Sequence, residues 1–118
     1  MSGHHRERLV EDIRKEIEVM LAGDLKDPRL TPTILVSEVR LSPDQRQARV
    51  FVAVQAGEAE RAAAIKALEA ATGFVRFELT ERLQLRRSPR LEFVLDRSAE
   101  YGAHIEELLR QEKRPPER

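Results

Sequence analysis

The sequence predicts an α+β domain in which a three-stranded sheet carries helices on one face. The elements follow in the order helix, strand, strand, helix, kinked helix, strand, helix. Three observations lead there. Residues 47–55 alternate between apolar and polar side chains on most positions, the period of a strand with one buried face. Residues 9–21 instead place apolar side chains three and four apart, the period of a helix. Finally, a long helical pattern opening at Glu58 is interrupted at Gly73 and resumes at once, so two consecutive helices meet at a glycine before a short apolar strand.

Taken in order, Met1–Arg6 is expected to fray and the first helix to run from Glu7. Leu9, Ile13, Ile17, Met20 and Leu21 turn inward until Gly23 stops the helix. Pro28 and Pro32 fix φ and push the residues before them out of helix, making 26–32 a stiff connector that is either a turn aiming the next strand or a perch for Lys26 and Arg29. Thr33–Leu41 reads as a strand with Leu35, Val39 and Leu41 on one side. Ser42-Pro43-Asp44-Gln45 is a turn, since Pro presets φ and Asp bonds its own backbone. Gln47–Gln55 pairs back as a hairpin, burying Ala48, Val50, Val52 and Val54. Phe51 then lies on the open side near Arg40 and Arg49, where it either stacks a base or is covered by a neighbouring side chain.

An Ala-rich helix follows from Glu58 to Ala71, led inward by Ile65 and Leu68. Beyond Gly73, Val75, Leu79 and Leu83 repeat every four residues, flanked by Phe74 and Leu85, while Phe77 points outward. Glu78 and Arg82 fall inside the apolar arc, four apart and able to pair. Ser88-Pro89 ends this helix, and Leu91, Phe93 and Leu95 line one side of a third strand. Ser98 can cap a last helix whose Tyr101, Ile105, Leu108 and Leu109 face inward, with His104 on its surface. The chain is one domain over 1–118, with an ordered core at about 6–112 and tails at 1–5 and 113–118.

Composition bounds the function. No cysteine means no disulfide, thiol nucleophile or thiolate metal site. The adjacent pair His4-His5 lacks a third ligand, so no metal or other cofactor is expected. No apolar run approaches the ~20 residues of a membrane span, and the start of the chain lacks a signal-peptide pattern, so a cytoplasmic protein is expected. Catalytic sets are missing: no His–carboxylate–nucleophile grouping and no phosphate loop occurs, which reads as a binder rather than an enzyme. Net charge is zero, but it is unevenly spread. Residues 1–24 carry four basic and six acidic side chains, whereas 73–90 carries five arginines against two glutamates. Between Arg82 and Arg90 there are four arginines and no acid. A glycine joint exposes helix-end amides that a phosphate can approach, and a basic run beside it points to nucleic acid. Candidate RNA-contacting residues are Lys26, Arg29, Ala71, Thr72, Gly73, Arg76, Arg82, Arg86, Arg87 and Arg90.

The element order with a glycine joint is that of the bacterial-type (type II) KH fold, although the GxxG clamp of most KH modules is replaced by Ala71-Thr72-Gly73. Specific stretches narrow this further: Lys26-Asp27-Pro28-Arg29-Leu30, Val36-Ser37-Glu38-Val39, Ala48-Arg49-Val50-Phe51-Val52, Ala71-Thr72-Gly73-Phe74-Val75-Arg76 and Pro89-Arg90-Leu91-Glu92-Phe93. In this order and spacing, over about 6–112, the chain resembles the ribosome-binding factor A family. That resemblance implies a monomeric, non-enzymatic assembly factor that binds the small (30S) ribosomal subunit, contacts 16S rRNA and assists maturation of its precursor, notably in the cold. It extends the partners to other assembly factors such as a release GTPase. Glu78 and Arg82 depart from a pattern that is apolar there, and the C-terminal tail is short and nearly neutral. A second reading is a protein–protein adaptor of KH-like shape using the open sheet face or edge.

Overall fold

A hairpin of β1 (Thr33–Leu41) and β2 (Gln47–Gln55) sets the frame of the computed structural model, which describes residues 2–113. Its turn is held from within: the Asp44 carboxylate accepts from the Ser42 hydroxyl at 2.7 Å and from the Arg46 amide at 3.0 Å. Gln45 takes a left-handed φ of 61° to close it. The third strand, β3 (Arg90–Leu95), lies parallel to β2, with Gln47 opposite Arg90 and Val50 opposite Phe93, so β2 is central. A parallel neighbour needs a long crossover. Here two helices supply it, α2 (Glu58–Ala70) and α3 (Thr72–Leu83).

Those two helices and α1 (Ser2–Val19) cover one face of the sheet. Ile13, Ile17 and Met20 from the α1 side, Ala64 and Leu68 from α2, and Val75 and Leu79 from α3 pack on Val36, Val39, Val50, Val52 and Phe93. The expected inward set of β2 is buried as read. On β1 the expectation holds for Val39 and Leu41 and fails for Leu35. Leu35 is 50% exposed, while Ile34, Val36, Val39 and Leu41 are buried. The register slips between Val36 and Glu38, and one extra residue, Ser37, reverses the parity of everything before it.

α1 begins five residues earlier than Glu7, where the sequence places its start. Arg6 explains part of this: its guanidinium donates to the carbonyls of Leu41 and Ser42, the latter at 2.8 Å, tying the first turns of α1 to the hairpin. The helix does not stop at Gly23 but loosens into a π-helical turn over Met20–Asp24, closed by the Leu25 amide on the Met20 carbonyl at 3.0 Å. Glu18 accepts from the Val36 amide at 2.6 Å, covering part of the free edge of β1.

Arg82 joins three pieces of this layer. It reaches Glu78 one turn back at 2.9 Å, Asp24 at 2.9 Å and Glu16 on α1 at 3.3 Å. Asp24 first, then Glu78, hold its guanidinium above its ordinary pKa. The ion pair expected within α3 is therefore the start of a larger network that locks α3 to α1.

The last helix, α4 (Ser98–Lys113), corrects the sequence reading most clearly. Its start is well fixed: Asp96 accepts from the Ser98 amide at 2.8 Å, Arg97 pairs with Glu58 at 2.6 Å, and Arg61 pairs with Glu100. Beyond that turn, Ile105, Leu108 and Leu109 are exposed rather than turned inward. The helix-facing side of the sheet is already filled by α1, α2 and α3, so periodicity marks a face without supplying a partner for it. The Tyr101 side chain and the tail from residue 114 lie outside the described residues, as does the side chain of His4.

Candidate nucleic-acid interface

The break between α2 and α3 falls at Ala71, with φ −87° and ψ 0°, not at the glycine. The Ala71 amide still donates to the carbonyls of Ala67 and Leu68, and the Val75 amide to the Ala71 carbonyl, so the helices turn within a single residue. The Thr72 hydroxyl donates back to the Leu68 carbonyl at 3.2 Å. No side chain caps the start of α3, where a helix has opening amides without partners inside the helix.

Gly73 sits in the first turn of α3. Its φ is not positive, and a Cβ placed on it would meet nothing within 4 Å. The angle between the helices is absorbed two residues earlier by Ala71, so Gly73 is neither strained nor closely approached. Gly73→Ala is therefore expected to leave the fold intact and raise stability by up to roughly 0.5–1 kcal/mol, through reduced unfolded-state freedom. Thermal unfolding checks it; a clear fall in melting temperature would mean that the joint needs glycine for its fold.

Around this joint the connector before β1 closes in. Lys26 stands beside Ala70, Ala71 and Phe74 on the rim of a hollow of about 330 Å³ whose floor is largely apolar. Lys26 is exposed and makes no ion pair among the described residues. Arg29 behaves differently: it pairs with Asp27 at 2.7 Å, while Asp27 also accepts from the Arg29 amide at 2.9 Å and caps the short 3-10 turn Pro28–Leu30. Side-chain and then backbone hydrogen bonds from Arg29 lower the Asp27 pKa from 3.8 to about 2. The folded pKa lies below the unfolded one, so this pairing favours the fold above the ordinary value and is lost as pH falls through about 2. An NMR titration of Asp27 should give a midpoint near the lower value; a midpoint at the ordinary value would leave the connector unpinned.

On the far end of α3, Gln84 takes a left-handed φ of 55° and ends the helix. The loop beyond it is held from below. Arg76 donates to the carbonyls of Ser88 and Pro89, both at 3.1 Å, and Ser88 and Pro89 are buried. Arg76 thus shapes the loop instead of facing outward. Arg86 and Arg87 are exposed on this pinned loop, without ion pairs among the described residues.

The ten residues expected to act together therefore separate. Lys26, Ala71, Thr72 and Gly73 share the joint, and Arg86 and Arg87 crown the loop at the other end of α3. Arg82 is committed to three carboxylates. Arg90 is carried away by strand parity: Phe93 faces the helices, so Arg90 and Glu92 face the open side, where they line a separate hollow with Arg40 and Arg49. On that side Arg40 lies over the Phe51 ring at 5.0 Å to its centroid, the covered alternative for Phe51. Sequence reasoning missed Phe74, which is 45% exposed at the hollow. Phe74, Glu78 and Arg82 are spaced by four and so share one edge of α3, the edge of the apolar arc that the two charged residues interrupt.

Comparison with known proteins decides the family. The model of the ribosome-binding factor A family matches residues 5–109. The chain belongs to the ribosome-binding factor A family. It is 43% identical over 103 residues to ribosome-binding factor A of Acetivibrio thermocellus, covering 87% of this chain and 84% of that one. With the Koribacter versatilis protein of the same name it shares 47% over 107 residues, covering 91% and 86%. The crystal structure of ribosome-binding factor A from Thermus thermophilus superposes with a TM-score of 0.62 at 33% identity, over 80% of this chain and 94% of that one. A homology model of the Thermus thermophilus factor, fitted into an electron-microscopy map of its complex with 30S, gives 0.60 at 32% identity over the same shares. The family's three-stranded, helix-backed KH-like architecture is the one found here.

Proposed function

We propose that this protein is a ribosome assembly factor that binds the small ribosomal subunit by contacting 16S rRNA and assists maturation of the subunit and its precursor rRNA, with a role in the cold. The observation that carries the reading is the α2–α3 joint in a chain of this family: uncapped α3 amides beside Gly73, with Lys26 at one end of α3 and Arg86 and Arg87 at the other. Helix-end amides and unpaired cations suit phosphate oxygens. The Thermus thermophilus factor fitted into a map of its 30S complex supports the choice of subunit. The protein acts without catalysis, as a cytoplasmic monomer, and other assembly factors, a release GTPase among them, are its further partners.

Co-sedimentation with purified small subunits tests the binding, and a nucleotide-hydrolysis assay on the same preparation tests the absence of catalysis. Binding without turnover is expected; robust intrinsic hydrolysis, or no binding, overturns the reading. The adaptor reading has support of its own in the exposed Leu35 and the uncovered stripe of α4. Salt separates them, since RNA binding weakens steeply with ionic strength and an apolar interface much less.

A further inference from the structure

The chain has four phenylalanines, and they divide sharply. Phe93 is in the core and Phe51 lies under Arg40. Phe74 and Phe77, 45% and 61% exposed, are both on α3 and three residues apart, so they project from neighbouring positions of one helix. Leaving large apolar rings in water forgoes their burial, and a pair of them on one element marks a contact surface.

The surroundings favour one kind of contact. Phe74 borders the hollow between α2, α3 and the connector, whose apolar lining is Leu25, Leu30, Ala67, Ala70 and Ala71. Two acids, Asp24 and Asp27, also line it, but Arg82 holds one and Arg29 the other. Lys26 remains the unpaired charge there, and Arg86 and Arg87 lie past the other end of α3. At 1.5 Å per residue that helix is on the order of 18 Å long. Flat rings in a row between unpaired cations match a single-stranded nucleic acid, whose bases stack while its phosphates meet the charges. Bases within a duplex offer no free face to such rings.

We infer that α3 is a stacking platform on which Phe74 and Phe77 take unpaired bases of an RNA strand, with the Phe74 base seated over the hollow. This rests on the RNA-binding reading above and adds to it the class of RNA and the two side chains that select it.

The chain has no tryptophan, so Phe77→Trp introduces its only indole. Emission of this variant should be quenched by small subunits and by a short unstructured RNA oligonucleotide, but not by the same sequence in a duplex. Phe74→Ala and Phe77→Ala should each lower affinity for the oligonucleotide by roughly tenfold to a hundredfold. Both rings are exposed, and circular dichroism should remain that of the parent chain. Phe74→Leu and Phe77→Leu keep bulk without an aromatic face, and near-parental oligonucleotide affinity in them would overturn stacking. So would unchanged emission on subunit binding that still depends on Arg86 and Arg87, an outcome that spares the RNA reading. A shift with subunits but not with the oligonucleotide, persisting after nuclease treatment, would assign the platform to a protein and overturn the inference. Failure of the parent chain to bind subunits at all would overturn both readings.

Discussion

In the double variant Arg86→Ala/Arg87→Ala, affinity for small ribosomal subunits falls, and the slope of log affinity against log salt flattens by roughly 1–2 units while the domain stays folded. The two side chains are exposed on a loop that Arg76 pins through the Ser88 and Pro89 carbonyls, so removing them deletes charge without removing support. Each phosphate contact releases condensed counterions, which is why the slope counts contacts more cleanly than affinity does. Subunit titrations at several salt concentrations make the measurement. An unchanged slope in a folded variant would make this loop an ordinary solvated surface. Arg82→Ala is the contrast: it strips the partner from Glu16, Asp24 and Glu78, so its first effect is on the seating of α3.

Leu79→Ala should destabilise the fold by roughly 2–5 kcal/mol. Leu79 is fully buried on α3 and packs in the cluster with Leu68, Val75 and the α1 residues. Deleting three carbons there leaves a cavity that surrounding helices fill only in part. Against a total stability of roughly 5–15 kcal/mol, this is a large share. Denaturant unfolding reads it directly as a lower midpoint. A loss below roughly 1 kcal/mol would mean that α3 is not anchored through this side chain.

How much of this was legible in the sequence depended on whether local pattern and tertiary demand agreed. They agreed on β2, whose alternation and bounds read straight off residues 47–55, because a central strand has one face that must be apolar throughout. They parted on β1, where a single bulged residue inverts the face of Leu35; nothing in the local composition announces it. The break lies two residues before Gly73, and the conformational work falls to Ala71, which any residue tolerating φ −87° could do. The ion pair of Glu78 and Arg82 was visible as an i, i+4 spacing. Its extension to Asp24 and Glu16 is long-range and was not. Arg90 looked continuous with Arg86 and Arg87 because they are near in sequence; strand parity separates them. α4 shows the limit of periodicity, since an apolar stripe states what a helix could bury and not that the molecule has anything left to bury it.

The α2–α3 side of the molecule, not the open sheet face, is expected to touch ribosomal RNA. A photo-reactive side chain placed in turn at Gly73, where a new Cβ meets open space, and at Leu35, half-exposed on the open face, tests it directly in complexes with small subunits. Crosslinks to 16S rRNA are expected from position 73, and none to RNA from position 35. RNA crosslinks from position 35 with none from position 73 would contradict it.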